Sequence, residues 1–124
     1  MTPTIVIRTD AECMLRAAMG AVCIEHHHNF KNPHVIFREP LCNAGAASGH
    51  FEAEVTMLLF LLNWTLNDLA AGGLDPKAFK LRIVTGSKSL IQKLQATDTA
   101  ATRVSGLLRE CREAVKRFTE VSYA

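Results

Sequence analysis

No stretch of this chain is long and apolar enough to cross a bilayer, which takes about 20 consecutive apolar residues. The most apolar segment, Val55 to Leu62, gives way to Asn63, and Asn67 and Asp68 follow. The opening residues, MTPTIVIRTDAEC, set an arginine and an aspartate within the first ten positions and hold no apolar run of signal-peptide length. Aromatic residues are scarce, with six Phe, one Tyr and one Trp, so the core has to be mainly aliphatic. Little is therefore on offer for base stacking. None of the four cysteines, Cys13, Cys23, Cys42 and Cys111, forms a C-x-x-C pair. Their even number permits disulfides, but no secretion signal supports them, and they read as reduced, mostly buried thiols of an intracellular protein. Charge of one sign is not in large excess either. Fourteen basic residues against twelve acidic ones give +2, which does not by itself imply nucleic acid, although a basic face can exist locally.

What is present is a globular composition, 48% hydrophobic and 21% charged, which excludes wholesale disorder. At 124 residues there is room for one domain, spanning 1–124, and not for two ordinary cores. Thr4 to Thr9, β-branched and bounded by Pro3 and Asp10, is predicted as the first strand, with Asp10 closing it. Met19–Glu25 and His34–Glu39 are predicted as a hairpin joined by the turn-rich HHHNFKNP. Residues 42–50, CNAGAASGH, read as a loop with Ser48 or its neighbouring glycine as N-cap of a long helix. In that helix Val55, Leu58, Leu59, Leu62, Leu66 and Leu69 recur at helical spacing. Phe51, Phe60, Leu61 and Trp64 widen the stripe, so it should be buried on more than one side until Gly72 and Gly73 stop it. Lys80–Thr85 is predicted as strand four, LIQKLQ as a short helix, about Thr99 to Phe118 as an amphipathic helix, and TEVSYA as the start of strand five. A meander followed by helical crossovers predicts an α/β fold with one mixed five-stranded sheet, order 3-2-1-4-5, and helices packed on it.

Asp10 and Glu54 are acidic residues beside apolar segments that must pack together. Carboxylates converging from a strand and a helix can hold magnesium, and two such ions can clamp a phosphodiester cleavage. Spacing alone equally describes two solvated carboxylates. Ser87, Lys88 and Ser89 stand where a helix start can meet a phosphate, or simply cap the helix after a tight turn at Gly86. Arg109, Arg112 and Lys116 on the last long helix can track a phosphate backbone, although Glu110 and Glu113 between them also suit intrahelical ion pairs. His26, His27 and His28, with His34 and His50, invite a metal reading, but consecutive residues of an extended segment cannot all point one way, and a solvated hairpin loop is the plainer expectation.

Four local motifs occur in an order that resembles the ribonuclease H domain, in the form carried by retroelement reverse transcriptases. T-D-A-E-C at Thr9 to Cys13 is similar to the family's T-D-G-S-x, and M-G-A-V-C-I at Met19 to Ile24 to its glycine-led second strand. S-G-H-F-E-A-E-V at Ser48 to Val55 resembles S-x-x-x-x-A-E-L, and V-T-G-S-K-S-L at Val84 to Leu90 resembles x-T-D-S-x-x-L. The resemblance implies cleavage of the RNA strand of an RNA–DNA hybrid, with Mg2+ held by four acidic residues. Asp10 matches the first and Glu54 the second, with Glu52 just off the A-E pair. The third should be aspartate, and Gly86 stands there; the fourth should lie on a helix after strand five, which residues 1–124 do not reach.

The implied metal site is therefore weak or empty, and the nuclease impaired or inactive. The alternative is a non-catalytic interaction or nucleic-acid-binding domain that keeps the fold; a further one is an unrelated ligand-binding domain. A bare strand-five edge is expected to leave apolar surface and unpaired backbone groups exposed, and a homodimer through about Thr99 to Ala124 to cover them.

Overall fold

A computed structural model describes residues 4–14, 17–27, 33–46, 50–96 and 102–124, with side-chain burial and contacts for 4–9, 51–96 and 102–124. The elements in chain order are β1 (Thr4–Met14), β2 (Ala17–His27), β3 (Pro33–Ala46), α1 (His50–Ala71), β4 (Lys80–Thr85), α2 (Lys88–Gln95), α3 (Arg103–Val115) and β5 (Glu120–Tyr123). The five strands form one sheet in the order β3-β2-β1-β4-β5. β1 pairs antiparallel with β2, and β2 with β3. β4 is parallel to β1 on one side and to β5 on the other.

The meander is longer than its apolar runs suggest. Asp10 does not close the first strand: it pairs with Ala21, and β1 continues to Met14 opposite Ala17. The segment 42–46, read as loop, instead belongs to β3, with Cys42 opposite Gly20 and Ala46 opposite Ala17. Backbone hydrogen bonding carries these small residues into the ladder although they offer little side chain to bury. His26 and His27 likewise lie in β2, opposite His34 and Pro33, and not in a loop; His28 and the Ser48 cap fall outside the described residues. The last long helix is shorter than predicted, running from Arg103 with Thr102 as N-cap to Val115; Thr99 lies outside the described residues.

Ile5 and Ile7 of β1 and Leu81 and Ile83 of β4 are fully buried or nearly so and line up pairwise across the parallel ladder. They meet Leu58, Leu61 and Leu62 of α1 and Leu108 and Cys111 of α3 in one core. Trp64 packs half-buried against it, as do Val121 and Tyr123 of β5. The apolar surface expected along the C-terminal segment is thus largely covered, because β5 turns these two side chains inward. Among the described residues the exposed large hydrophobic is Leu74, in the turn after α1. There Gly73 takes φ +70, the N–H of Gly73 donates to Ala70 and that of Leu74 to Leu69, a Schellman ending that a β-carbon would strain.

Topology decides which ends meet. Two antiparallel steps make β3 parallel to β1. Helix α1 therefore begins at the sheet edge where β1 and β4 end, and returns the chain to the start of β4. Helix α2 begins directly after β4, at that same edge. Helix α3 also starts there, since Arg103 is held to Glu52 near the start of α1, and it ends beside the start of β4, where Thr119 N–H donates to the Phe79 carbonyl.

Cys111 carries a pH dependence. Its Sγ lies 3.9 Å from the Val55 carbonyl, across the α1–α3 contact. Burial first, then the neighbouring Glu110, push its thiol from 9.0 up to about 12. Burial raises Tyr123 too, with Cys111 adding to it. The folded state keeps a proton that the unfolded chain releases near pH 9, so this stability is complete below pH 9 and is lost as pH rises toward 12. Urea titrations across that window should show unfolding free energy falling, with a thiol share on the order of 4 kcal/mol over the full range. Cys111→Ala should be less stable at neutral pH but fall more shallowly; an equally steep fall would assign the dependence elsewhere.

Candidate functional site

One residue past the last registered pair of the parallel ladder, Thr9 with Thr85, come Asp10 in β1 and Gly86 after β4. Glu54 is half-buried in the second turn of α1. It heads a stripe continued by Leu58, Leu61 and Thr65, all buried, and so stands at the core-facing corner of the helix start. The fold thus places Asp10, Glu54 and Gly86 at one sheet edge, together with Ser87 and Lys88 at the start of α2.

The β4–α2 junction is built by side chains capping backbone. The Ser87 amide donates to Thr85 Oγ1 at 3.1 Å, and Ser87 Oγ accepts from the Leu90 amide at 3.2 Å. Ser87 is therefore the α2 N-cap, the plainer of its two readings. Lys88 and Ser89 are exposed. A β-carbon built on Gly86 meets nothing within 4 Å. Three helix starts converge on this edge, each carrying partial positive charge.

Glu52 belongs elsewhere. It lies almost half a helical turn around α1 from Glu54, is 4% exposed, and its Oε1 sits 2.9 Å from Arg103 Nε. The A-E pair therefore divides its labour, Glu54 toward the sheet edge and Glu52 toward α3. No local spacing connects Arg103 with a residue about fifty positions earlier.

Arg109, Arg112 and Lys116 gather on one flank of α3, along a groove between α3 and the end of α2. Arg112 Nη2 donates to the Lys93 carbonyl at 2.7 Å, so Arg112 caps the end of α2. Lys116 Nζ and Glu113 Oε1 form an exposed pair at 3.1 Å. Lys93, not singled out from the sequence, meets this flank through its backbone carbonyl, and its side chain is exposed.

Among the described residues no three His, Cys, Asp or Glu side chains come together to hold a metal ion. Nor does any helix among them have the length and apolarity to cross a membrane.

Neither a protein-family model nor a curated protein matches this chain. Solved structures do. RNase H1 from the halophilic archaeon Halobacterium salinarum NRC-1 is similar with a TM-score of 0.67 at 17% identity, covering 98% of this chain and 83% of that one. The N-terminal RNase H domain of Rv2228c from Mycobacterium tuberculosis gives 0.63 at 15%, covering 97% and 84%. LC11-RNase H1 in complex with an RNA/DNA hybrid gives 0.68 at 10%, covering 98% and 83%. The fold is that of ribonuclease H.

Removing the Arg103 guanidinium strands a buried carboxylate, which costs about 1–3 kcal/mol where a buried acceptor loses its partner. Arg103→Met should lower stability by that order in urea unfolding at pH 7. Glu52→Gln, which keeps the shape and an acceptor, should cost less. The reverse ranking would mean that the pair does not hold α3 to α1.

Proposed function

We propose that this chain is a nucleic-acid-binding domain of the ribonuclease H lineage, of the retroelement reverse-transcriptase type, whose hydrolysis of RNA–DNA hybrids is impaired or lost. The observation that carries this reading is Gly86. It stands beside Asp10, where the family resemblance calls for the third carboxylate, and it supplies no ligand. A neighbour of the same fold in complex with an RNA/DNA hybrid supports nucleic acid as the partner class. The lineage itself rests on the motifs at Thr9–Cys13, Ser48–Val55 and Val84–Leu90.

Magnesium is the cofactor the resemblance implies, and the residues present do not fit it. Asp10 and Glu54 are two acidic residues for a pair of ions that each need several oxygen ligands. Where the next would stand, Gly86 leaves open space. No hydrolytic step is therefore derived through the metal. What the edge retains is a phosphate-compatible helix start: the exposed Lys88 beside the capped turn at Ser87.

A labelled RNA–DNA hybrid incubated with the chain and Mg2+ tests this. Cleavage should be absent or at least a hundredfold below that of an intact ribonuclease H, a loss of about 3 kcal/mol of transition-state stabilisation. Robust turnover abolished by Asp10→Asn would overturn it. Gly86→Asp should fold, since a β-carbon there meets nothing within 4 Å, and a gain in cleavage over the parent chain would assign the loss to this position.

Assembly is part of the same proposal. β5 is an edge strand with one side unpaired in the sheet, and a second copy pairing there gives a symmetric dimer. Sedimentation at micromolar concentration should show a dimer; a monomer over a hundredfold concentration range would refute it.

A further inference from the structure

The positive charge of this chain is concentrated in the segment that carries α2 and α3. From Gly86 to Phe118 there are seven basic residues against three acidic ones, a balance of +4, while the rest of the chain carries −2. On α3, Arg109, Arg112 and Lys116 follow at i, i+3 and i+7, so they share one flank. That flank and the end of α2 enclose a groove of about 520 Å³ with Leu94 and Val115 in its floor. Glu113 is its one acidic lining residue among the described residues. Glu113 is spent on an exposed pair with Lys116, the kind of contact worth little and screened by salt. A phosphate can displace it.

Arg112 is already anchored on the Lys93 carbonyl, which fixes one wall. Lys93 itself is exposed on α2. From Lys88 at the sheet edge, α2 leads to Lys93 over about 7.5 Å of helix axis. From Arg109 to Lys116 is about 10.5 Å, the axial rise of roughly three nucleotides.

We propose that the groove between α2 and α3 holds the sugar–phosphate backbone of a nucleic-acid strand without divalent metal, as a surface separate from the sheet edge. The proposal rests on the nucleic-acid reading above and names where the strand lies. The partner is a nucleic-acid strand because the cations form a line and no aromatic side chain lines the groove. Binding there is therefore insensitive to sequence and steep in salt.

Fluorescence anisotropy of a labelled RNA–DNA hybrid against the full chain, in EDTA and over a series of salt concentrations, tests it. The chain should bind. Arg109→Gln/Lys116→Gln should weaken binding about tenfold at low salt and flatten the log–log salt slope by about 2, one for each lost phosphate contact. Arg117→Gln, past the end of α3 and outside the groove lining, should leave both nearly unchanged. Circular dichroism checks the fold. If the first variant unfolds, Lys116→Gln alone, an exposed groove residue, should flatten the slope by about 1. No binding in EDTA, an unchanged slope in the double variant, or an equal loss with Arg117→Gln overturns the groove. Polyglutamate competing as well as oligonucleotide, charge for charge, also overturns it and points to an acidic protein instead. Because EDTA removes any metal contribution, these outcomes do not depend on whether the sheet edge cuts hybrids.

Discussion

The parallel pairing of β1 with β4 is the constraint from which the rest follows. Parallel neighbours cannot be joined by a tight turn, so the chain between them has to cross the sheet, and here β2, β3 and α1 make that excursion. Both strands then end at one edge, and the helix that covers them begins at that edge. Ile5, Ile7, Leu81 and Ile83 hold the pairing by burying on one face. A one-residue slip in either strand would turn its buried pair to the other face, so the register is strongly specified. The register in turn makes Asp10 and Gly86 neighbours. No residue at the edge has to hold the edge together.

Electrostatics at that edge differ from what four carboxylates would create. Three helix starts bring partial positive charge, and exposed Lys88 adds a full one. Acidic side chains offset this only where they face the edge. Glu52 does not: it is turned toward α3 and held by Arg103. Farther along the helices the same sign continues through Lys93, Arg109 and Lys116.

Much of this was legible from pattern. The limits of β4 were, because KLRIVT alternates over its first four residues and is bounded by a turn and a glycine. The strand order was, because a meander followed by two helical crossovers leaves few alternatives. The stop of α1 was, because two glycines follow the last apolar residue. What escaped the pattern had physical causes. β1 and β3 run past their apolar runs because backbone pairing continues through small and polar residues, which leave no mark on periodicity. The Phe118 end overshot because apolar spacing continues to Phe118, beyond the residues that hydrogen-bond as helix. For the candidate site, the positions of Asp10, Glu54 and Gly86 followed from topology, whereas the bond between Glu52 and Arg103 did not. Two residues about fifty apart share no local signal, and only the parallel course of α1 and α3 brings them together.

Glycine at position 86 stands apart from the interactions that hold the fold. Acidic side chains crowded at one edge repel one another in the absence of metal, and each is a standing cost to folding rather than a support. Replacing one by glycine removes that repulsion and leaves every core contact in place, since the core cluster lies in the apolar faces of β1, β4, α1 and α3. Glycine at the turn before Ser87 also leaves the α2 cap intact, because Ser87 and Thr85 supply it. Stability and chemistry are thus carried by different residues here. Likeness of fold by itself does not certify the reaction. The residues that decide the matter are few, and one of them is a glycine.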